Sequence, residues 1–390
     1  MRPATRHAVL DSAPGTQLIL RKLLIVIGSL AAGGTERVAT VVAGHWAAQG
    51  HLVSLLTYTG MAIDHYPISS SVQRRRIDLM WDASGPVSRL TSAVRRRHLL
   101  RQSILRDPVD FIVSFGDMAN VRVLMACLGT NIPIVITERT DPRQHVLPLA
   151  WRVLRRLLYP FAAAVVVQTE SVAQWARRFV PAERVHVIPN PVRPPPPLRS
   201  RPDVLGTRRT VIAVGRFTPQ KGFDLLLNAF ARAALPLTAW QLVILGEGPE
   251  RPALEAQIHM LGLEHNVLMP GVVADPERWL QHAELFVLSS RFEGFPNALL
   301  EAMSCGLAVV AFDCPSGPGE IIRNERTGLL IPPADTDALT AAIARLARDP
   351  DLSRRLGTAA ALDVAQRFNL NRVAELWEGV LGASINRSSP

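Results

Sequence analysis

Four charged side chains stand out by their type and setting. Glu293 and Glu301 lie eight positions apart in Arg291-Phe-Glu-Gly-Phe-Pro-Asn-Ala-Leu-Leu-Glu301-Ala-Met-Ser-Cys-Gly306. This segment follows an apolar run ending at Ser289 and opens a helix near Pro296, a residue suited to a first helical turn. Free amides at such a helix start bind an anion or a sugar hydroxyl. Glu293 precedes the helix and Glu301 sits on it, so the two carboxylates can reach different ends of one ligand. Arg216 and Lys221 flank a turn in Val214-Gly-Arg-Phe-Thr-Pro-Gln-Lys-Gly222, just past another apolar run. Two cations there suit a cleft edge where a diphosphate needs neutralising. Lys221 is one of only two lysines among 43 basic residues, the other being Lys22, so a lysine at this turn is unusual for the composition. Taken alone, these residues also read as solvated surface charges.

Other candidates carry less. Asp335-Thr-Asp337 and Asp349-Pro-Asp351 imitate the aspartate pair of a metal site, but each directly precedes an apolar helical pattern and is expected to cap it. No essential metal is expected. The ten histidines show no ligand spacing, and Cys127, Cys305 and Cys314 have neither disulfide nor zinc spacing, which predicts buried or half-buried thiols.

The elements that must position these groups alternate. Lys22–Gly28 reads as a strand ending in glycine, and helical apolar spacing follows at Val38, Val41, Val42 and Trp46. Further strands are expected at Leu52–Tyr58, Phe111–Ser114, Pro133–Thr137 and Ala163–Gln168. After the proline-rich stretch near Asn190, alternation restarts at Thr210–Gly215, Gln241–Gly246, Asn266–Met269, Leu285–Ser289 and Ala308–Phe312. Apolar strands separated by helices imply parallel sheets covered on both faces. The chain therefore reads as α/β: two doubly wound Rossmann-like domains, residues 21–190 and 206–375, joined by a linker at 191–205. Residues 1–20 read as a poorly ordered leader and 376–390 as a tail. In such sheets ligands sit at the carboxyl ends of strands, so two domains enclose a cleft between facing strand ends.

Charge is uneven. Residues 1–200 hold 25 Lys and Arg against 12 Asp and Glu, whereas the remainder is slightly acidic. A basic half attracts anions without choosing among nucleic acid, phospholipid and phosphorylated substrate. No uninterrupted apolar run reaches the ~18–20 residues of a spanning helix. Around Trp151-Arg-Val-Leu-Arg-Arg-Leu-Leu158, helical spacing groups Trp151, Leu154 and Leu158, with Arg152, Arg155 and Arg156 beside them. This interfacial pattern, with a second basic run at 89–106, predicts peripheral docking on the cytoplasmic face of an anionic membrane.

The 291–306 motif resembles that of family 4 glycosyltransferases, the retaining group built on the B-type two-Rossmann-domain fold. Gly33-Gly34-Thr-Glu-Arg-Val38, the 214–222 segment, Gly246-Glu-Gly-Pro249 and Asp313-Cys-Pro-Ser-Gly-Pro-Gly-Glu320 match in the same order, over roughly residues 22–375. The resemblance implies transfer of a sugar from a UDP- or GDP-sugar, as co-substrate and without a cofactor, to a glycan or polyprenyl-diphosphate-linked acceptor. It assigns Arg216 and Lys221 to the leaving diphosphate, and Glu301 to the ribose hydroxyls. Glu293, with the amides of Gly294, Phe295 and Asn297, would hold the transferred sugar and phosphate. Gly34 would let the first domain's backbone approach the diphosphate, while Gly246 and Glu247 shape the cleft near the nucleoside. Gly33–Val38 and Thr137-Glu-Arg-Thr-Asp-Pro142 look most like bacterial members extending surface or lipid-linked glycans. Where many relatives carry an acceptor-side histidine, this chain offers Asp117, Glu138 and Arg139, which leaves a general base unassigned.

Two alternatives stay open at this stage. A sugar-nucleotide epimerase shares the architecture but needs no acceptor. A nucleic-acid-binding protein would use the basic half, against an aromatic content of only 6% and no recognisable motif. A phosphorylase needs a lysine for pyridoxal phosphate, and neither Lys22 nor Lys221 is placed for that role.

Overall fold

The computed structural model describes residues 20–31, 33–58, 64–79, 86–233 and 239–386, of which 86–90 and 385–386 are described by their backbone alone. The expected leader lies outside the described residues but for Leu20. Strands β1 (Lys22–Ile27), β2 (Leu52–Thr57), β3 (Val72–Arg76), β4 (Phe111–Phe115), β5 (Ile134–Thr137), β6 (Ala164–Val167) and β7 (Val185–Val187) form one sheet. Its order is β3-β2-β1-β4-β5-β6-β7. Strands β8 (Arg209–Val214), β9 (Trp240–Leu245), β10 (Val267–Gly271), β11 (Leu285–Leu288), β12 (Ala308–Phe312) and β13 (Leu329–Ile331) form the second. The order there is β10-β9-β8-β11-β12-β13.

Every pairing in both sheets is parallel. Helices cover both faces, which is why the central strands are apolar throughout. Alternate residues of β1 divide between two cores: Leu24 and Val26 face one, and Leu23, Ile25 and Ile27 face the other. The strand order reverses between β1 and β4 in the first sheet, and between β8 and β11 in the second. These switch points leave crevices at the strand ends where ligands bind in folds of this type.

The carboxyl end of the chain departs from expectation. Residues 376–386, read from sequence as a tail, complete a helix, Leu370–Asn386. It crosses back to the first sheet, where Val373, Trp377, Val380 and Leu381 join the core. Trp377 meets Trp46 edge-on at 5.6 Å and stacks on Phe115 at 6.2 Å. The chain thus passes between the two halves near Asn190 and again near Phe368, and the passes touch where the Val192 amide donates to the Phe368 carbonyl at 2.7 Å.

The helix Leu149–Leu158 corrects the expected membrane face. Trp151, Leu154 and Leu158 pack into the first domain's core, so the apolar side grouped from sequence points inward. Arg155 is buried with them, its guanidinium 4.6 Å from the Trp175 ring centre and 3.6 Å from the Glu138 carboxylate. Arg152 and Arg156 are exposed, and beside them run Leu149, Val153 and Leu157, whose four-residue spacing puts them on one outward stripe. Of the second basic run, Arg97 and Arg101 donate to carbonyls of Met125, Ala126 and Leu128 and close the end of the helix Asp117–Ala126.

Glu138, just past β5, is fully enclosed. The Tyr159 hydroxyl donates to its Oε1 at 2.5 Å, and Oε2 has no hydrogen-bond partner. Burial pushes this carboxyl up from 4.5 to about 7, with nearby Arg155 opposing the shift. The fold therefore favours the protonated acid. That stabilisation is complete below the unfolded value and is lost as pH rises through about 7. Glu138→Gln, a neutral isostere, is expected to be more stable than the wild type at pH 8 by on the order of 1–3 kcal/mol. The gap should narrow as the pH is lowered to about 5. Denaturant unfolding at both pH values checks this, and a wild type more stable than the variant at pH 8 would mean that Arg155 and Tyr159 hold an ionised carboxylate.

Candidate active site

The predicted charged residues emerge from strands flanking the second switch point. After β8, Gly215 and Arg216 lead into a 3-10 turn, Pro219–Lys221, and the helix Phe223–Arg232. Gly222 between them has φ +62°, and a Cβ there would fall 2.1 Å from the Ser289 carbonyl oxygen, so only glycine lets the β8 turn lie against the end of β11. Arg291 fastens the same two segments with a bidentate bridge to Asp224 at 2.9 and 2.7 Å.

This packing brings Lys221 and Glu293 together. The Lys221 ammonium donates to Glu293 Oε1 at 2.6 Å, and the Ser290 hydroxyl donates to the same oxygen at 2.6 Å. Both side chains are largely enclosed, so the pair holds the ammonium at the cleft floor. Arg216 stays outside this contact, exposed at the rim, where its charge opposes the burial that raises the Glu36 carboxyl. Beyond Glu293 the helix Asn297–Ser304 begins after Pro296. The amides of Gly294, Phe295 and Asn297 donate to no protein acceptor among the described residues. The Phe295 ring itself belongs to the core, edge-on to Phe368 at 5.8 Å.

The first switch point faces this floor. Gly33 and Gly34 open the helix Gly34–Ala48 beyond β1. The Asn297 amide group donates to the Gly34 carbonyl at 3.2 Å, and a Cβ on Gly34 would lie 2.9 Å from that nitrogen. Asn297 Oδ1 accepts from Asn190 at 2.6 Å, while Asn190 Oδ1 accepts from Arg139 at 2.8 Å and Gln168 at 2.5 Å. Arg139 lies over Phe115 at 4.6 Å, and burial lowers its pKa to about 9. Gly294 also seats against this domain, since a Cβ there would be 2.6 Å from the Arg139 carbonyl oxygen.

Glu301 is gripped from across the cleft. Arg37 lies 2.5 Å from its carboxylate and 2.6 Å from that of Glu277. Burial pushes Glu301 up to about 7, opposed by Arg37 and reinforced by Glu277. A ligand hydroxyl seeking Glu301 must compete with that guanidinium. Neither Arg37 nor Glu277 carries a sequence signal of its own, although Arg37 lies inside the Gly33–Val38 motif. A cavity of about 270 Å³ opens at this point, lined by Arg37, Glu277, Asn297, Glu301 and the linker prolines.

The remaining expected residues fall as follows. Asp117 pairs with His145 at 2.9 Å beyond β4, a histidine unmarked in the sequence. Glu247 is tied to Arg251 at 2.6 Å on the surface, and Gly246 has φ +141° with no room for a side chain. Glu320 accepts from the Glu170 amide at 3.1 Å across the cleft. Asp335 and Asp349 cap helices by accepting from the amides of Ala338 and Leu352, each at 2.9 Å, as expected. Cys127 and Cys314 are buried free thiols, and Cys305 is half-buried. Chemically, the site offers an ammonium, open amides and carboxylates to a ligand with both phosphate and hydroxyl groups.

Residues 32–195 match the model described as Glycosyltransferase Family 4, and residues 208–349 match that of Glycosyl transferases group 1. The chain is 35% identical over 231 residues to an exopolysaccharide phosphotransferase of Streptomyces coelicolor, covering 58% of this chain but 24% of that protein. It is 25% identical to a Campylobacter jejuni α-1,4-N-acetyl-D-galactosaminyltransferase named for an undecaprenol-diphosphate-linked glycan, over 92% of this chain and 97% of the relative. Among solved structures, an Anabaena protein in complex with UDP superimposes with a TM-score of 0.75 at 19% identity, over 93% of this chain and 100% of that one. Such neighbours fix the architecture as the two-sheet B-type glycosyltransferase fold. The chain is a glycosyltransferase and belongs to Glycosyltransferase Family 4.

Proposed function

We propose that the enzyme transfers a sugar, with retention at the anomeric carbon, from a nucleotide-diphosphate sugar to a lipid-linked or membrane-proximal glycan. The observation that carries this reading is the convergence of Lys221, Glu293 and the open amides of Gly294, Phe295 and Asn297 at one switch point, facing Gly34 of the other. The half carrying residues 206–375 is the donor side, residues 21–190 are the acceptor side, and 191–205 join them. The donor's diphosphate lies against Lys221 and the helix start, with Arg216 closing from the rim, and Glu301 takes the ribose hydroxyls once Arg37 yields it. UDP in the Anabaena neighbour supports such a donor, with GDP the alternative base.

In the transfer step the bond from the anomeric carbon to the diphosphate breaks as the acceptor hydroxyl approaches on the same face. Its proton passes to the leaving phosphate. The protein's contribution is electrostatic: charge grows on the departing diphosphate, and Lys221 and Arg216 are placed to meet it. These fixed cations supply the role a metal plays in other transferases, so the reaction is metal-independent. The name of the Campylobacter jejuni relative favours a transferase over an epimerase, and a diphosphate-linked acceptor.

No helix among the described residues is long and apolar enough to cross a membrane. The outward stripe of Leu149, Val153 and Leu157 beside Arg152 and Arg156 supports peripheral attachment at the cytoplasmic surface instead.

NMR of donor and product should show the same anomeric configuration; inversion would reject the mechanism. Lys221→Ala is expected to lower kcat by about 10²–10³-fold at saturating donor, the usual cost of one transition-state charge contact. Near-normal turnover in a folded variant would remove Lys221 from the chemistry. Flotation with phosphatidylglycerol liposomes should recover the wild type, and recovery should fall in high salt and in Leu149→Ser/Leu157→Ser. Equal recovery with neutral liposomes would reject attachment through the basic residues, and no recovery with either would place the enzyme off the membrane.

A further inference from the structure

Beside the outward stripe lies a cavity of about 270 Å³ that the transfer step does not use. Five arginines line it: Arg143, Arg152, Arg155, Arg156 and Arg178, with Trp175 at its wall. They come from three segments, the loop after β5, the helix Leu149–Leu158, and the turn after the helix Glu170–Ala176. Arg143 bridges Asp141 at 2.7 Å, and Arg155 faces the Glu138 carboxyl at 3.6 Å. Arg152, Arg156 and Arg178 make no side-chain ion pair or hydrogen bond among the described residues. Arg155 is 5% exposed, and its Nε is buried with no hydrogen-bond partner.

Like charges brought together around one hollow repel, and a buried guanidinium N–H without an acceptor costs stability. Both costs are removed by an anion with several acceptor oxygens, for which the planar donors of arginine are suited. Two further observations define that anion. Val146 lines the cavity and is 67% exposed, and Leu149, Val153 and Leu157 are exposed on the same helix as Arg152 and Arg156, so an anionic group held here has exposed apolar side chains nearby. The cavity also adjoins the catalytic cleft: Arg143 donates to the Ser171 hydroxyl, and the Ser171 amide donates to Glu320 of the donor-side half at 3.5 Å. A ligand anchored here would have its lipid on the apolar stripe and its far end toward the cleft.

We propose that this arginine-lined cavity binds the diphosphate that joins lipid to glycan in the acceptor. Three guanidinium groups without acidic partners match the double charge of a diphosphate diester better than the single charge of a phospholipid. The proposal rests on the acceptor being lipid-linked, but the site can be tested without turnover.

Full-length protein is titrated with inorganic pyrophosphate by calorimetry at low salt, alongside Arg152→Gln/Arg178→Gln and Lys221→Ala. Both arginines are exposed, so folding is expected to survive the double change. The double variant should lose at least about tenfold in affinity while Lys221→Ala keeps a wild-type pyrophosphate site in the cavity. Absence of binding, or loss confined to Lys221→Ala, would overturn the proposal, the latter showing that only the donor site was read. Vesicles then separate the two lipid sources. Phosphatidylcholine doped with a polyprenyl diphosphate should recruit the wild type far more than the double variant, and more than phosphatidylglycerol vesicles of equal charge. Equal recruitment by phosphatidylglycerol would overturn the diphosphate assignment. Leu149→Ser/Leu157→Ser should bind pyrophosphate normally in solution, which distinguishes a failed anion site from failed membrane attachment.

Discussion

A parallel sheet whose strand order reverses leaves a crevice where neighbouring loops turn away from each other, and this molecule sets two such crevices face to face. The loops after β1 and β4 come from one side, and those after β8 and β11 from the other. The arrangement depends on the chain passing twice between its halves. The first pass runs through the proline-rich stretch, and the second ends in a helix whose Trp377 is locked between Trp46 and Phe115. The two crossings touch at Val192 and Phe368, both buried in the second domain's core, so the passes are anchored on that half.

Within the cleft, charge is held where solvent is scarce. Lys221 is kept at the floor by Glu293, and Arg37 is shared by Glu277 and Glu301 across the divide. Low local dielectric makes each of these groups strong, and it makes each costly when left without a partner. The ion pairs are partners in waiting: a ligand bearing phosphates and vicinal hydroxyls offers both cations and carboxylates replacements for what they hold. Binding would then be an exchange of contacts, and Arg37 is the partner that reaches these carboxylates from the other half.

Much of this was legible in the sequence because its signals were dense. Apolar runs ending in glycine marked the central strands, and glutamates around Gly294 and Pro296 marked the helix start. The edge strands β3, β7 and β13 were missed: β3 reads Val-Gln-Arg-Arg-Arg, with no continuous apolar run to announce it, and β7 and β13 are only three residues long. Arg155 was assigned to the surface because helical spacing identifies an apolar face without saying whether core or solvent lies against it. Trp377 was assigned to a tail for a related reason, since a helix returning to a distant domain leaves no local mark. Contacts between halves, such as Arg37 with Glu301 or Asn190 with Asn297, join residues more than a hundred positions apart, and no spacing rule reaches them.

The proposed donor site lies between the turn carrying Lys221 and the helix start at Asn297. Amide hydrogen exchange on the full chain, with and without saturating UDP- or GDP-sugar, tests it directly. Strong protection is expected in 216–222 and 293–301, where open amides gain acceptors, together with altered exchange around Gly34 and Arg37. Donor binding that leaves both donor-side segments unchanged, or protects only the edge of the sheet at β3, would contradict it.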